Sequence, residues 1–361
     1  MNTDEIIAKI NQDGRLTGGN YASVDLSRQD LSGVILEGVQ LSEANLAGAK
    51  LGDSTLIRVN LAGARLAGAD LTGSRLDHVD LAGAQMGKAI LTEAVMQDVS
   101  LVGTDLAGAD LGNVFADQCD FRRAKCTGTV FRSASLRGCK LSALDVTEAN
   151  LTRILAGGCD FCGVIFNKTD LTKAFLVGSK FEKQRFPGCT LLLTKFDQGN
   201  LQGADFSGLD LTQTSFAGAD LKEARFIKSR GKYINFSEIV APGADFSAAD
   251  FIMVNFSKAR IDGANFRGAR VEESLFSNAH LEKCVFCQAD LPYTDFSRAV
   301  VTGADFSDTR LNRANFHGVR RNEARWDGAD TGTIYKTDPD LWAAESWNAP
   351  DRRRQRRTIH E

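Results

Sequence analysis

A bulky apolar residue returns at every fifth position of this chain, from Leu16 to Trp326, without a slip. Of the 63 positions in that register, all but five hold Leu, Ile, Val, Met, Phe, Tyr, Trp or Cys. The exceptions are Ala116, Ala156, Gly231, Ala241 and Arg321. Neither a helix nor a strand alone has a period of five, so the pattern predicts a repeat architecture.

Each unit of five has a second regular position, because a small residue is common two places before the bulky one, as at Ala204 and Ala264. A three-residue extended segment points its first and third side chains to the same side. The other two residues then turn a corner, where Gly recurs, as at Gly48 and Gly203. Four such sides close a square coil of twenty residues, and successive coils stack in parallel at roughly 4.8 Å.

Units such as Ala-Asp-Leu-Thr-Gly at 69–73 and Ala-Asn-Leu-Ala-Gly at 44–48 resemble the pentapeptide repeat family, A-(D/N)-L-x-x, and the resemblance covers about 16–330. It implies an all-β solenoid, a right-handed quadrilateral parallel β-helix. At this repeat number we expect about sixteen coils and a length on the order of 75 Å.

Short helices are expected at both ends. Residues 1–15 predict an N-terminal capping helix, with Ile6, Ile7 and Ile10 on one apolar face. Residues 331–350 predict a C-terminal helix that begins at Asp338-Pro339. Its apolar residues are Leu341, Trp342 and Trp347, and they suit either capping of the last coil or pairing of two copies through the C-terminal end, which the resemblance implies is common. Residues 351–361 predict a flexible basic tail.

Positions twenty apart are vertical neighbours in such a coil, and positions ten apart lie on opposite walls. Phe occupies every tenth position from about Phe196, so it should line two opposing walls, whereas the first hundred residues predict a Leu core. A second column alternates in charge and predicts an outward ladder, consisting of Asp210, Arg230, Asp250, Arg270, Asp290, Arg310 and Asp330.

Overall charge is close to balanced, at −3, which gives no bulk electrostatic case for membrane or nucleic-acid binding. Residues 1–116 hold 15 acidic and 8 basic side chains, and residues 117–330 are slightly basic. The N-terminus has no signal-peptide pattern, and no apolar run has the length of a transmembrane span. We therefore expect a cytoplasmic protein with reduced cysteines.

Two C-x-x-C pairs, Cys159/Cys162 and Cys284/Cys287, raise the question of a zinc or redox site. In the five-residue register the first cysteine of each pair points inward and the second outward, so the two cannot share a metal. The histidines fall in no nucleophile or metal motif. We therefore predict no catalytic residue, no metal and no cofactor.

An outward apolar cluster on one wall is the stronger candidate for a site, since contiguous exposed apolar groups often mark contacts. A loop or the C-terminal segment could equally cover it. Residues 227–243 lie beside the weakest repeats, and we expect either a bulge or a binding site there. The candidate partner-binding residues are Leu192, Leu193, Arg230, Lys232, Tyr233, Ile252, Met253, Pro292 and Tyr293.

The expected function is a non-catalytic scaffold that presents a rigid β-helix surface to a protein partner. The resemblance implies several roles, among them immunity or adaptor proteins associated with bacterial toxins, and DNA-mimicking proteins that bind gyrase. Because only the first third of the chain is acidic, we favour an inhibitor or immunity protein against a toxin or effector, with the gyrase-binding DNA mimic as the alternative.

Overall fold

The computed structural model describes residues 3–347 and shows a four-sided parallel β-solenoid with a short helix at each end. Parallel bridges join residues twenty apart, from Arg15↔Ile35 to Asn315↔Tyr335. These columns span 320 residues (335 − 15), or sixteen coils of twenty. The five-residue period is thus one side of a coil, as predicted.

We number the faces by their outward columns. Every twentieth residue from Arg15 to Tyr335 belongs to face 1, from Asn20 to Arg320 to face 2, from Asp25 to Arg325 to face 3, and from Asp30 to Asp330 to face 4. Face 3 is opposite face 1. The corner that leads from face 4 into face 1 is called the 4/1 corner, and the one that follows face 1 is the 1/2 corner.

Regular strands form on two faces. Face 1 carries a seven-stranded parallel sheet of β1 (Arg15–Thr17), β2 (Ile35–Glu37), β3 (Thr55–Ile57), β4 (Arg75–Asp77), β5 (Val95–Gln97), β6 (Phe115–Asp117) and β7 (Ser135–Arg137). Face 4 carries a three-stranded sheet of β8 (Arg230–Lys232), β9 (Asp250–Ile252) and β10 (Arg270–Glu272). The helices are α1 (Thr3–Asp13) and α2 (Pro339–Glu345).

The corner geometry explains the repeat sequence. At a typical corner Leu71 O accepts a hydrogen bond from Ser74 N at 3.1 Å, and the turn residue Gly73 has φ +66°. The carboxylate of Asp70 accepts from the Thr72 backbone N–H at 3.0 Å. An Asp or Asn before the bulky residue therefore satisfies a backbone donor of the turn that follows, as in Asx turns.

Phe rings form two columns inside the second half of the rod, on the walls of faces 1 and 3. Phe206 stacks on Phe226 with centroids 5.1 Å apart, and Phe216 stacks on Phe236 at 5.0 Å. Across the coil the rings meet edge-on, as between Phe216 and Phe226 at 5.7 Å and 90°. Offset and edge-to-face contacts are the favoured aromatic geometries. The two predicted Phe walls are confirmed.

The N-terminal helix covers the first coil. Ile6 and Ile10 are buried against the core, Ile7 is partly buried, and Thr3 Oγ1 donates to Asp25 O at 3.0 Å. The other end is different, because Val319, Trp326 and Ile334 of the last coil remain partly exposed. Trp326 nevertheless extends the aromatic column, stacking on Phe306 at 4.5 Å.

Of the bulge or binding site expected within 227–243, the bulge is absent, and the binding site stays a prediction. Gly231 lies inside β8, paired in register with Phe251 of β9, and Asp210 is bridged to Arg230. The Phe251 ring lies 5.9 Å from Phe236. The space that a Cβ at Gly231 would enter is taken by atoms of Leu211, Thr212 and Ile234, so the backbone keeps its register without a side chain there.

Candidate protein-binding surface

The predicted partner-binding residues lie mainly on the 4/1 corner. Tyr233, Met253 and Tyr293 are exposed there, Leu192 is exposed, and Leu193 is half-buried. Adjacent coils bring Tyr233 next to Ile252, whose carbonyl accepts from the Tyr233 N–H at 3.1 Å. Ile252 and Pro292 are half-buried.

This corner cluster is interrupted rather than continuous. Gln213 separates Leu193 from Tyr233, and Glu273 separates Met253 from Tyr293. The guanidinium of Arg313 lies over the Tyr293 ring at 5.9 Å, within range of a cation–π contact. The structure therefore brings Lys232, Tyr233, Ile252 and Met253 together but leaves the leucines and Tyr293 as satellites.

Large side chains on this corner are held in an unfavourable backbone conformation. Leu193, Tyr233, Met253 and Tyr293 have φ of 60°, 58°, 54° and 57°. The left-handed region costs a non-glycine residue roughly 1–2 kcal/mol. Glycine occupies the equivalent position at many other corners, so these bulky residues point outward at an energetic disadvantage.

Arg230 differs from its predicted neighbours, because it belongs to the charge ladder of face 4. Its Nε lies 3.3 Å from a carboxylate oxygen of Asp210, and Arg270 lies 3.7 Å from Asp250. The ladder column is confirmed by bridges from Asp210 to Asp330. Exposed pairs of this kind contribute little individually, roughly 0.2–1 kcal/mol.

Face 1 itself carries an apolar column that the sequence analysis missed. Val95, Phe115, Leu155 and Phe175 lie in five successive coils, interrupted only by Ser135, and their exposed fractions run from 40 to 52%. Ile35, Leu275 and Tyr335 belong to the same column. Of the fourteen exposed large apolar residues that the structure describes within the solenoid, seven lie on face 1 and four on the 4/1 corner.

Charge is distributed in the opposite way. Face 1 has four charged residues among its 17 outward positions, namely Arg15, Arg75, Lys195 and Asp295, whereas face 4 has twelve among 16. One side of the rod is therefore both depleted of charge and enriched in apolar groups, which is the composition of a protein contact surface. The low charge and the apolar residues of face 1 can be read from the sequence, because each outward residue lies directly before a register residue.

The C-terminal helix α2 lies against the 1/2 corner beside the last coils. Asp338 caps it by accepting from Asp340 N and Leu341 N, and Pro339 opens it, as predicted. Glu345 binds Arg298 and accepts from His317 Nε2 at 3.2 Å, while His317 Nδ1 accepts from Asp338 N at 3.2 Å. The hydrogen bond from Arg298 lowers the pKa of Glu345.

Within the described chain, α2 contacts the side of the last coils through Glu345 and Trp342, and none of its residues is buried. Whether it caps the last coil or pairs two copies stays a prediction. Leu341, Trp342 and Trp347 remain exposed. His317 occupies an outward position of the five-residue register but is buried between Glu345 and Trp342, whose ring centroid lies 6.0 Å away. The predicted tail at 351–361 lies outside the described residues.

The cysteines follow the register. Cys159 and Cys284 are buried, while Cys162 and Cys287 are half-buried on the outside of the same walls. Within residues 3–347 no group of three or more His, Cys, Asp or Glu side chains is arranged to hold a metal ion. In the same part of the chain, neither helix has the length and apolarity needed to cross a bilayer.

A filled four-sided coil of parallel strands, built from units of five residues, defines the class of quadrilateral β-solenoids. The chain belongs to the pentapeptide repeat family. The family profile "Pentapeptide repeats (8 copies)" matches within 15–113, 117–153 and 234–318, and the profile "Pentapeptide repeat region" matches 149–226. Members of this family are generally non-catalytic binding proteins.

Solved structures of the same family are similar to this chain. HetL of the cyanobacterium Nostoc sp. strain PCC 7120, involved in heterocyst differentiation regulation, is 20% identical, with a TM-score of 0.20 over 94% of this chain and 98% of HetL. Full-length QnrB1, a plasmid-mediated fluoroquinolone resistance protein, is 16% identical, with a TM-score of 0.23 over 59% and 86%. A thylakoid-lumen protein of Arabidopsis thaliana is 29% identical, with a TM-score of 0.16 over 33% and 66%. A search of curated proteins by sequence gives no match.

Proposed function

We propose that this protein is a non-catalytic, cytoplasmic scaffold that binds a protein partner through face 1 and the 4/1 corner. The observation that carries the proposal is the segregation of exposed apolar groups, eleven of fourteen, on this side of the solenoid. Contiguous exposed apolar area on a soluble protein marks a contact site. The rigid parallel ladder behind it holds the contact groups in place before binding, which reduces the entropy lost on association.

For the partner we favour a bacterial toxin or effector, which this protein would inhibit or to which it would confer immunity. Support comes from the form of the surface, since an apolar side suits a folded protein target better than it suits the phosphate-binding groove of a DNA-binding enzyme. Residues 341–347 supply a further apolar surface at the C-terminal end, where we propose that two copies pair.

The alternative is a DNA-mimicking protein that binds gyrase. It is favoured by the acidic first third of the rod, where face 4 presents Asp30, Asp70 and Asp110. Against it stands the second half of the same face, in which Asp and Arg alternate from 210 to 330 and cancel. A mimic of duplex DNA needs one sign of charge along its length.

Affinity capture from lysate of the cells that encode the protein tests the proposal. The wild type and a control with Ile165→Glu, on the opposite face, should recover the same partner. A Tyr233→Glu/Met253→Glu variant and a Leu155→Glu variant should lose it. Retention by both variants would contradict the proposed surface.

The toxin assignment and the gyrase alternative have separate readouts. A captured toxin should slow growth when expressed alone, and co-expression of this protein should restore growth. A DNA mimic should instead inhibit gyrase supercoiling or protect gyrase from quinolones in a purified assay.

A further inference from the structure

A cluster of unpaired basic side chains surrounds the apolar column in the middle of face 1. Arg132, Arg153 and Lys173 follow one another at the 4/1 corner, twenty or twenty-one residues apart, and all three are exposed. Among the ion pairs of the described chain, none involves these three residues. The charges are therefore available to an outside group.

The basic cluster and the apolar column form one surface. Lys195 Nζ lies over the Phe175 ring at 5.8 Å, and Arg137 lies at the 1/2 corner, 3.6 Å from Asp117. On face 1 and its two corners, the three coils at 132–138, 152–158 and 172–178 include four basic side chains and no acidic one, and the flanking coils add Lys195, Asp117 and Asp197. We call this surface the basic-apolar patch; its members are Phe115, Leu155, Phe175, Arg132, Arg137, Arg153, Lys173 and Lys195.

The patch is open on its far side. Gly157, Gly158 and Gly178 occupy the 1/2 corner next to Leu155 and Phe175, and Val177 is the only larger residue there. The two apolar side chains therefore rise above their neighbours, with exposed fractions of 52 and 42%. A partner can approach them from face 2 without displacing a side chain.

We propose that the basic-apolar patch docks an acidic, amphipathic segment of the partner protein. This inference rests on the proposed protein-binding function and specifies the chemistry of the partner. Apolar residues of the segment pack on Phe115, Leu155 and Phe175, while its carboxylates meet Arg132, Arg153 and Lys173. Charge complementarity of this kind speeds encounter and fixes register.

Two other occupants are disfavoured by charge. The chain's own C-terminal sequence holds Arg352, Arg353, Arg354, Arg356 and Arg357, which would bring like charges against the patch. A second copy seated on the patch would likewise bring two surfaces with an excess of basic side chains together. An acidic segment satisfies both the apolar and the charged groups.

The size of the patch sets the size of the segment. From Phe115 to Lys195 the column advances four coils, which is roughly 19 Å at the usual strand spacing. A helix covers that distance in about 13 residues. The column spacing of about 4.8 Å between apolar groups is close to the spacing of side chains three or four apart on a helix.

The test uses fluorescein-labelled helical peptides of fourteen residues and the full-length protein. One peptide has Leu and Phe on one face and Glu elsewhere; a second replaces every Glu by Lys; a third replaces every apolar residue by Ser. Fluorescence anisotropy should give micromolar binding for the first peptide, and at least about tenfold weaker binding for the other two. Raising the salt concentration should weaken the first complex, because its charge contacts are exposed.

Variants locate the binding. Leu155→Glu/Phe175→Glu and Arg153→Glu/Lys173→Glu should each weaken binding of the acidic peptide by about tenfold or more. Ile165→Glu is the matched control, since Ile165 is also 52% exposed but lies on face 3. Thermal unfolding of every variant checks that the substitutions, all at outward positions, leave the fold intact.

Equal binding of the acidic and basic peptides would overturn the inference, as would the absence of binding or an equal loss in the Ile165→Glu control. The lysate experiment is independent of these outcomes. A partner captured through face 1 while the acidic peptide fails would keep the proposed function and reject the acidic segment. Peptide binding without any captured partner would support the acidic segment and count against the proposed protein-binding function.

Discussion

Phe251 lies in register with Gly231 in the next coil, and its ring centroid lies 5.9 Å from that of Phe236. A Cβ added at Gly231 would lie 2.9 Å from the Leu211 carbonyl carbon and from Thr212 N, and 3.0 Å from Ile234 Cδ1. The Leu211 backbone is held by a hydrogen bond from its N–H to Arg230 O at 2.8 Å. A methyl group at Gly231 would therefore collide with backbone atoms that are held in place by a hydrogen bond.

Gly231→Ala should lower the free energy of unfolding by about 1–3 kcal/mol, because overpacking forces the stacked coils apart. Chemical denaturation followed by circular dichroism measures this change in the free energy of unfolding. Gly268→Ala is the control: no atom lies within 4 Å of the added methyl, and only its φ of +62° opposes the change. We expect roughly 1 kcal/mol there, so equal effects of the two substitutions would contradict the packing argument.

The aromatic columns predict a second graded result. Phe226 stacks on Phe206 at 5.1 Å and on Phe246 at 4.9 Å, and it meets Phe216 and Phe236 edge-on. Phe226→Ala should destabilise by about 3–5 kcal/mol. Phe226→Leu should cost less, since it keeps most of the volume and loses mainly the ring contacts. Similar unfolding midpoints for the two variants would be inconsistent with a packed aromatic column.

Thiol reactivity should separate the cysteines by their position in the register. Burial raises the pKa of the Cys159 and Cys189 thiols to about 11, and it also raises the pKa of Cys126 and Cys284. Because the thiolate is the reactive form, buried thiols should be inert in the folded protein.

Iodoacetamide labelling at pH 8, followed by mass spectrometry, should modify Cys162 and Cys287 first in the folded protein. All eight cysteines should react in denaturant. Labelling of Cys159 at the same rate as Cys162 would show that the two do not lie on opposite sides of the wall.

Docking of α2 should depend on pH through Glu345. Its pKa is lowered in the folded state, chiefly by Arg298 and also by His317. A lowered carboxyl pKa means that the stabilisation is present above the usual Glu value and is lost as the pH falls through the folded value. The helix should thus leave the 1/2 corner only at a pH below the range in which a free Glu titrates.

Fluorine NMR of protein labelled with 5-fluorotryptophan can follow this release, with the Trp342 signal assigned through Trp342→Phe. The Trp342 resonance should move on acidification, and Glu345→Gln should remove that dependence. Trp326, stacked on Phe306 in the core, is an internal reference. A Trp342 signal that is unchanged between pH 7 and pH 3 would contradict the docking of α2 through the ion pair of Glu345.

Most of the fold could be predicted because every coil repeats the same local rule. The Phe216/Phe236 stack, the Asp210/Arg230 neighbours and the inward Cys159 all follow from counting in fives and twenties. Position within the repeat decides burial there, so no long-range information is needed.

The surface was harder to predict for two reasons. Phe115, Leu155 and Phe175 occupy outward positions, where the repeat itself sets no preference for apolar residues, so the five-residue period does not single them out. The site of α2 depends on His317 meeting Glu345, 28 residues further along the chain, and no period relates them. The missing side chain of Gly231 suggested an irregular backbone, whereas Gly231 is a regular part of β8 and pairs in register with Phe251.

The alternating charges of face 4 also favour the correct order in which the coils stack. The Leu and Phe walls do not disfavour a coil that is skipped during folding, because one Leu or Phe then packs in place of another. On face 4 the same error sets Asp210 beside Asp250, or Arg230 beside Arg270, and like charges directly opposite destabilise a pair. The alternation of charge along face 4 therefore disfavours any stacking of the coils in which one coil has been skipped.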